Sequence, residues 1–187
     1  MDSFLRGIKM TNHESTRSVH AAMRPEAVTG SVHPPIFQTS TFVQDDFGIH
    51  SGYEYARTQN PTREALEEAL SEMESPSSEA HAIAFSSGMA AISTIAQLLK
   101  SGDHIIACDD LYGGTIRYFD QVLSRFNVRT TYLNLSEESP EDFCKKETKI
   151  LWVETPTNPL LTVHNIVELA KTAKRNNWLL VVDATFA

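Results

Sequence analysis

The sequence predicts an α/β fold built on a mostly parallel sheet. Two observations predict it. From residue 80 onward, short apolar runs alternate with stretches whose apolar residues recur at helical spacing. Strands joined through helices pair in parallel. The distinctive polar residues Ser86, Ser87, Tyr112, Asn158 and Asp183 then fall just after predicted strands. In such sheets ligands bind at the carboxyl ends of strands.

The elements follow in chain order. Residues 1–50 show no clear period and are rich in Ser, Thr, His and Pro. They read as an extended arm with little core of its own. Such an arm packs on something, often a second subunit; a disordered tail is the other reading. Asn60 and Pro61 suit an N-cap and a first helical residue. Leu66, Ala69, Leu70 and Met73 then mark a helix. If the segment before it is extended, Tyr55 and Arg57 point to one side. A phenol and a guanidinium placed so suit a phosphate, and an ordinary surface pair has the same spacing. A strand is expected over 82–85 and a helix over 89–100, with Gly102 just past its end. A strand over 105–108, a loop over 109–115 and a helix through Ile116, Phe119, Leu123 and Phe126 come next. A strand over 128–133, a short helix over 140–146 and a strand over 150–154 follow. Pro156 and Pro159 keep the next loop irregular. Ile166, Leu169, Ala170 and Ala173 mark a last helix, and the apolar strand 179–182 ends in Asp183.

One stretch organises the rest: Ala84-Phe85-Ser86-Ser87-Gly88-Met89-Ala90-Ala91-Ile92. It reads as a buried strand, a turn of small residues and the start of a helix. Little side-chain bulk blocks the helix N-terminus, whose free N–H groups and dipole favour anions. A phosphate seat fits, and so does a plain strand-to-helix turn, because neither a P-loop nor a GxGxxG is present.

Composition narrows the function classes. The 187 residues suffice for one domain with a sizeable core, and 41% hydrophobic with 21% charged residues is ordinary for a globular chain. A net charge of −8 leaves no basic surplus for nucleic-acid phosphates. No apolar run approaches bilayer-spanning length. Residues 1–10 lack the apolar region of a signal peptide. Cys108 and Cys144 form no CxxC and are expected as thiols in the cytoplasm. Cys108 reads as a packed core residue. The seven histidines show no metal-ligand spacing, and Lys145, Lys146 and Lys149 beside Glu141, Asp142 and Glu147 read as a solvated helix face.

Five segments together resemble the Cys/Met-metabolism family of pyridoxal 5′-phosphate (PLP) enzymes. They are Tyr-Glu-Tyr-Ala-Arg-Thr-Gln-Asn-Pro-Thr from Tyr53, Ser-Ser-Gly-Met-Ala-Ala from Ser86, Asp-Asp-Leu-Tyr-Gly-Gly-Thr from Asp109, Glu-Thr-Pro-Thr-Asn-Pro from Glu154 and Val-Val-Asp-Ala-Thr-Phe from Val181. The resemblance runs from Gly30 to Ala187 and is strongest to cystathionine γ-lyases and γ-synthases. It implies an aminotransferase-like (fold type I) large domain, truncated. Residues 1–60 would be an arm contributing to a neighbouring subunit, and 61–187 an incomplete PLP-binding α/β domain.

The resemblance also implies roles. Ser87, Gly88 and Met89 match the turn that binds the PLP phosphate. Tyr55 and Arg57 match residues that reach the phosphate of a neighbouring subunit. Tyr112 matches the aromatic stacked on the pyridine ring and placed for proton transfer. Asn158 matches a donor to the 3′-oxygen. Asp183 matches the carboxylate that pairs with the pyridinium nitrogen. Tyr112 and Asp183 are thus the candidate catalytic residues, and no metal is expected. The family's Schiff-base lysine would follow Asp183 by a couple of dozen residues, beyond Ala187, as would a C-terminal domain with the substrate-binding arginine. The expectation is therefore the N-terminal part of a longer enzyme. Ala184, Ala56 and Gln59 stand where the family usually has Asn, Ser and Gly.

The implied reaction is γ-elimination or γ-replacement on cystathionine or an O-acyl-homoserine, in sulfur amino-acid metabolism. The full-length protein is expected to be a dimer of dimers in the cytoplasm, with a small amino-acid substrate and neither nucleic acid nor membrane as partner. Cystathionine β-lyase and methionine γ-lyase are alternatives within the family. Outside it stand an inactive or partner-binding fragment and a phosphate-binding α/β domain unrelated to PLP.

Overall fold

Before Ser86 the chain makes helices and a hairpin, but none of its described residues is buried. The computed structural model describes residues 14–74 and 80–187, so the expectation for residues 1–10 lies outside the described residues. The described residues up to Phe85 form one unit and Ser86–Ala187 another. The first holds helix α1 (Glu14–His20), the antiparallel pair β1 (Gln44–Asp46) and β2 (Ile49–His50), and helix α2 (Pro61–Glu74). Asn60 caps α2 as its sequence predicts, its Oδ1 accepting the Thr62 N–H at 2.9 Å. Apolar side chains in this unit lie open, with Val43 89% exposed and Phe47 99%.

The second unit carries the core. Its helices and strands are α3 (Gly88–Ala96), β3 (His104–Cys108), α4 (Gly113–Gln121), β4 (Arg129–Leu133), β5 (Thr148–Glu154), α5 (Ile166–Arg175) and β6 (Leu179–Asp183). The four strands pair in parallel in the order β4-β3-β5-β6. Side chains alternate across the sheet with period two. Ile105, Ala107, Ile150 and Trp152 pack with Ile92 and Ala96 of α3 and Phe119 of α4. Ile106, Leu151 and Val153 pack on the other face with Ala173, Ile166 and Leu169 of α5. Phe119 meets Trp152 edge-on, with ring centroids 5.2 Å apart. Such a pair adds roughly 1 kcal/mol beyond its burial.

Four elements differ from the sequence expectation. Residues 82–85 form no strand: among the described residues no strand pairs with them, and the Ala84 N–H donates to Glu67 Oε1 at 2.9 Å. The helix expected over 89–100 ends as α3 at Ala96. Gln97, Leu98 and Leu99 continue it with N–H bonds to Thr94, Ile95 and Ala96, so winding tightens from four residues back to three. The helix expected through Phe126 likewise divides into α4 and a 3₁₀ turn, Leu123–Phe126, closed by Asn127 at φ 60°. The short helix at 140 is a 3₁₀ turn, Pro140–Phe143.

His104 closes the base of the sheet. It is 0% exposed. Its Nδ1 lies 2.8 Å from Thr148 Oγ1 and its Nε2 2.8 Å from Thr131 Oγ1, so both flanking strands hold the ring. Burial pushes its pKa down to about 4, with the nearby Lys145 and Arg129 charges adding to the effect. A base depressed in the fold is protonated first in the unfolded chain. Its contribution is present above about pH 6.5 and fades as pH falls toward 4. Between pH 7 and 5 the second unit should lose about 2 kcal/mol through this one group. Urea unfolding at the two pH values, compared with His104→Gln, checks it: the variant's loss should be smaller by that amount.

Candidate functional site

Parallel strands all end on one side, and β3, β5 and β6 end there around a cavity of about 370 Å³. Six of the eight residues singled out from the sequence line it: Ser87, Gly88, Met89, Tyr112, Asn158 and Asp183. They come from four places along the chain. Tyr55 and Arg57 belong to the first unit, where the Arg57 guanidinium lies 5.1 Å from the Tyr55 ring centroid.

Ser87 is the N-cap of α3. Its extended backbone (φ −160°, ψ 157°) turns the chain into the helix, and its hydroxyl accepts the Ala90 N–H at 3.2 Å. Among the described residues, the N–H groups of Gly88 and Met89 have no acceptor. A Cβ on Gly88 would meet nothing within 4 Å, so no packing within the chain demands a glycine there. Gly88 lines the cavity. Two free amides at a helix N-terminus, facing a cavity, suit a phosphate.

Asp183 closes β6. Its Oδ1 accepts both the backbone N–H and the hydroxyl of Thr185, so a tight turn aims the carboxylate. Among the described residues no donor reaches Asp183 Oδ2, the Asn158 side-chain amide or the Tyr112 hydroxyl. The cavity therefore presents an unpaired carboxylate oxygen, an amide, a phenol and two backbone N–H groups. A phosphorylated aromatic cation calls for that set of partners, so the residues fit PLP.

Sequence reasoning missed Glu154. It ends β5, opposite Asp183 in the β5–β6 register, is 5% exposed and lines the same cavity. Its Oε2 accepts the Tyr112 N–H at 2.8 Å, and its own N–H donates to Cys108 Sγ at 3.3 Å. Burial lifts the carboxyl above its ordinary range. The Tyr112 amide opposes that lift, and the neighbouring Asp183 charge adds to it. The Cys108 thiol is itself pushed up to about 12, chiefly by burial.

The family model described as Cys/Met metabolism PLP-dependent enzyme matches residues 15–187. The chain belongs to that family. It is 42% identical over 174 residues to a probable cystathionine γ-synthase of Herpetosiphon aurantiacus, covering 92% of this chain and 54% of that protein. It is 42% identical to a cystathionine β-lyase of Coxiella burnetii, covering 94% and 45%. A crystal structure of cystathionine γ-lyase from Lactobacillus plantarum, complexed with L-serine, superposes with a TM-score of 0.85 at 38% identity over 92% of this chain and 44% of that one. The chain spans about half the length of the curated relatives it matches. The parallel sheet with helices on both faces is accordingly the PLP-dependent fold type I domain, over about half of the solved chains. Among the described residues no helix is long and apolar enough to cross a membrane, and no three metal-binding side chains cluster.

Ser87→Ala removes the cap of α3. It should cost about 1 kcal/mol of stability, read from the urea midpoint, whereas Ser87→Asp should cost less because it keeps an accepting oxygen.

Proposed function

We propose that this chain supplies the cofactor-binding part of a PLP-dependent transsulfuration enzyme. That enzyme would catalyse γ-elimination or γ-replacement on cystathionine or an O-acyl-homoserine. One observation carries the reading: polar groups of Gly88, Met89, Tyr112, Asn158 and Asp183 that have no partner among the described residues meet in one cavity at the strand ends.

In this reading the Gly88 and Met89 amides would hold the phosphate, with the α3 dipole behind them. The Asn158 amide would orient the ring through its 3′-oxygen. Asp183 Oδ2 would pair with the ring nitrogen and keep it protonated. PLP, when bound, supplies the electron sink that stabilises negative charge on the substrate. Tyr112 would cover the ring, and its phenol oxygen would carry a proton to or from the substrate.

The same family similarity supports two neighbouring activities. The Coxiella relative is named a cystathionine β-lyase, and a similar solved structure is that of a methionine γ-lyase from Micromonospora echinospora. The reading includes a homo-oligomer in the cytoplasm, with Tyr55 and Arg57 of one subunit serving the phosphate of the next. The absence of buried side chains among the described residues of the first unit supports an arm that packs elsewhere. The exposed Val43 and Phe47 suit such a contact.

Equilibrium dialysis of the chain against PLP and against pyridoxal tests the cofactor part. PLP should bind at least about tenfold more tightly than pyridoxal. Asp183→Asn should weaken PLP by about tenfold, the scale of one charge-assisted hydrogen bond. Equal affinity of PLP and pyridoxal would remove the phosphate seat from the reading.

A further inference from the structure

We infer that Glu154 and Gly114 are positioning residues that fix Tyr112 over the cofactor, Glu154 by holding its amide and Gly114 by leaving room for its ring. This deepens the PLP reading above and rests on it.

Tyr112 has no seat of its own making. It stands at the N-cap of α4, where its side chain makes no capping bond. Its ring is 45% exposed. Two partners from elsewhere define its place. The first is Glu154, 42 residues along the chain, whose Oε2 takes the Tyr112 N–H at 2.8 Å. Glu154 is anchored in turn by its own N–H on Cys108 Sγ and by its place in a strand buried at every position from Ile150 to Glu154. The second is Gly114. A Cβ there would stand 3.0 Å from Cδ1 and from Cζ of the Tyr112 ring, and closer still to Cε1. The ring therefore occupies the space that any side chain at 114 would take. The backbone φ of Gly114 is not in the left-handed region, so the ring's position is the structural reason for glycine.

The loop carrying Tyr112 is also tied to the loop carrying Asn158: the Leu160 N–H donates to Asp110 Oδ2 at 3.1 Å. A buried acid beside Asp183 carries an electrostatic cost, and the Tyr112 amide it holds offsets part of it. Glutamine keeps one accepting oxygen of similar reach; leucine keeps the volume and removes the acceptor.

Two measurements on the full chain test the inference. The first is hydrogen exchange at the Tyr112 amide without ligand. The second is PLP affinity together with the induced circular dichroism of bound PLP. Glu154→Leu should speed Tyr112 exchange and weaken PLP, each by about tenfold, and Glu154→Gln should restore both to within about threefold. Gly114→Ala should leave the amide protected but change the induced dichroism, because it moves the ring alone. Unchanged exchange and PLP affinity in Glu154→Leu overturn the role of Glu154, as does a Gln variant no better than Leu. If the Leu variant does not fold, an unchanged Gly114→Ala spectrum, or loss of Tyr112 protection in the Gln variant, overturns the inference. Absence of PLP uptake by the wild-type chain is a different result: it overturns the functional reading, and the inference with it.

Discussion

Strand β3 has no solvent-facing side. All five residues from His104 to Cys108 are 0% exposed, with β4 and β5 on its edges and helices over both faces. A strand so enclosed must satisfy every backbone group in its two ladders and every side chain in two cores. That fixes the register of β5, and β5 fixes β6. The pairing of Glu154 with Asp183 at the far end follows from this chain of registers. The buried polar side chain of β3 obeys too: His104, its pKa pushed down by burial, is held by a threonine on each neighbouring strand.

The two ends of the sheet solve different problems. At the amino ends, polarity is closed within the protein, and His104 has a partner for each ring nitrogen. At the carboxyl ends polarity is left open. Among the described residues, Gly88, Met89, Asn158 and Asp183 each keep a group with no internal partner, while Ser87, Thr185 and Glu154 use theirs for orientation. A rigid base and an unsaturated rim are what a preorganised binding site requires, because little need reorganise when the ligand arrives.

Much of this was legible in the sequence. The alternation of elements was, because helix and strand periods differ and both faces of the sheet demand apolar residues. The six cavity residues were, because each sits in a short motif: Ser87, Gly88 and Met89 where a helix opens, Tyr112, Asn158 and Asp183 at or just past the end of a strand. The missed features depend on contacts distant in sequence. Residues 82–85 have the composition of a strand, but pairing is a property of two segments, and among the described residues no partner strand accompanies this one. Glu154 stood in a recognised motif without a role, because its partner is a backbone amide that no side-chain pattern advertises. Gly114 has the look of a turn glycine, and only the folded position of the Tyr112 ring gives it another reason. His104 carried no metal-ligand spacing, and only the strand order brings Thr131 and Thr148 to it.

The thiol behind Glu154 has a use outside the protein's own chemistry. Cys108 is fully buried, accepts the Glu154 N–H and has its ionisation pushed far up, so alkylating reagents that need an exposed thiolate have no access to it. Cys144, just past the 3₁₀ turn, is exposed. The chain therefore comes with one ready attachment point for a fluorophore or a solid support. A probe placed there reports on the folded molecule while leaving the strand ends untouched.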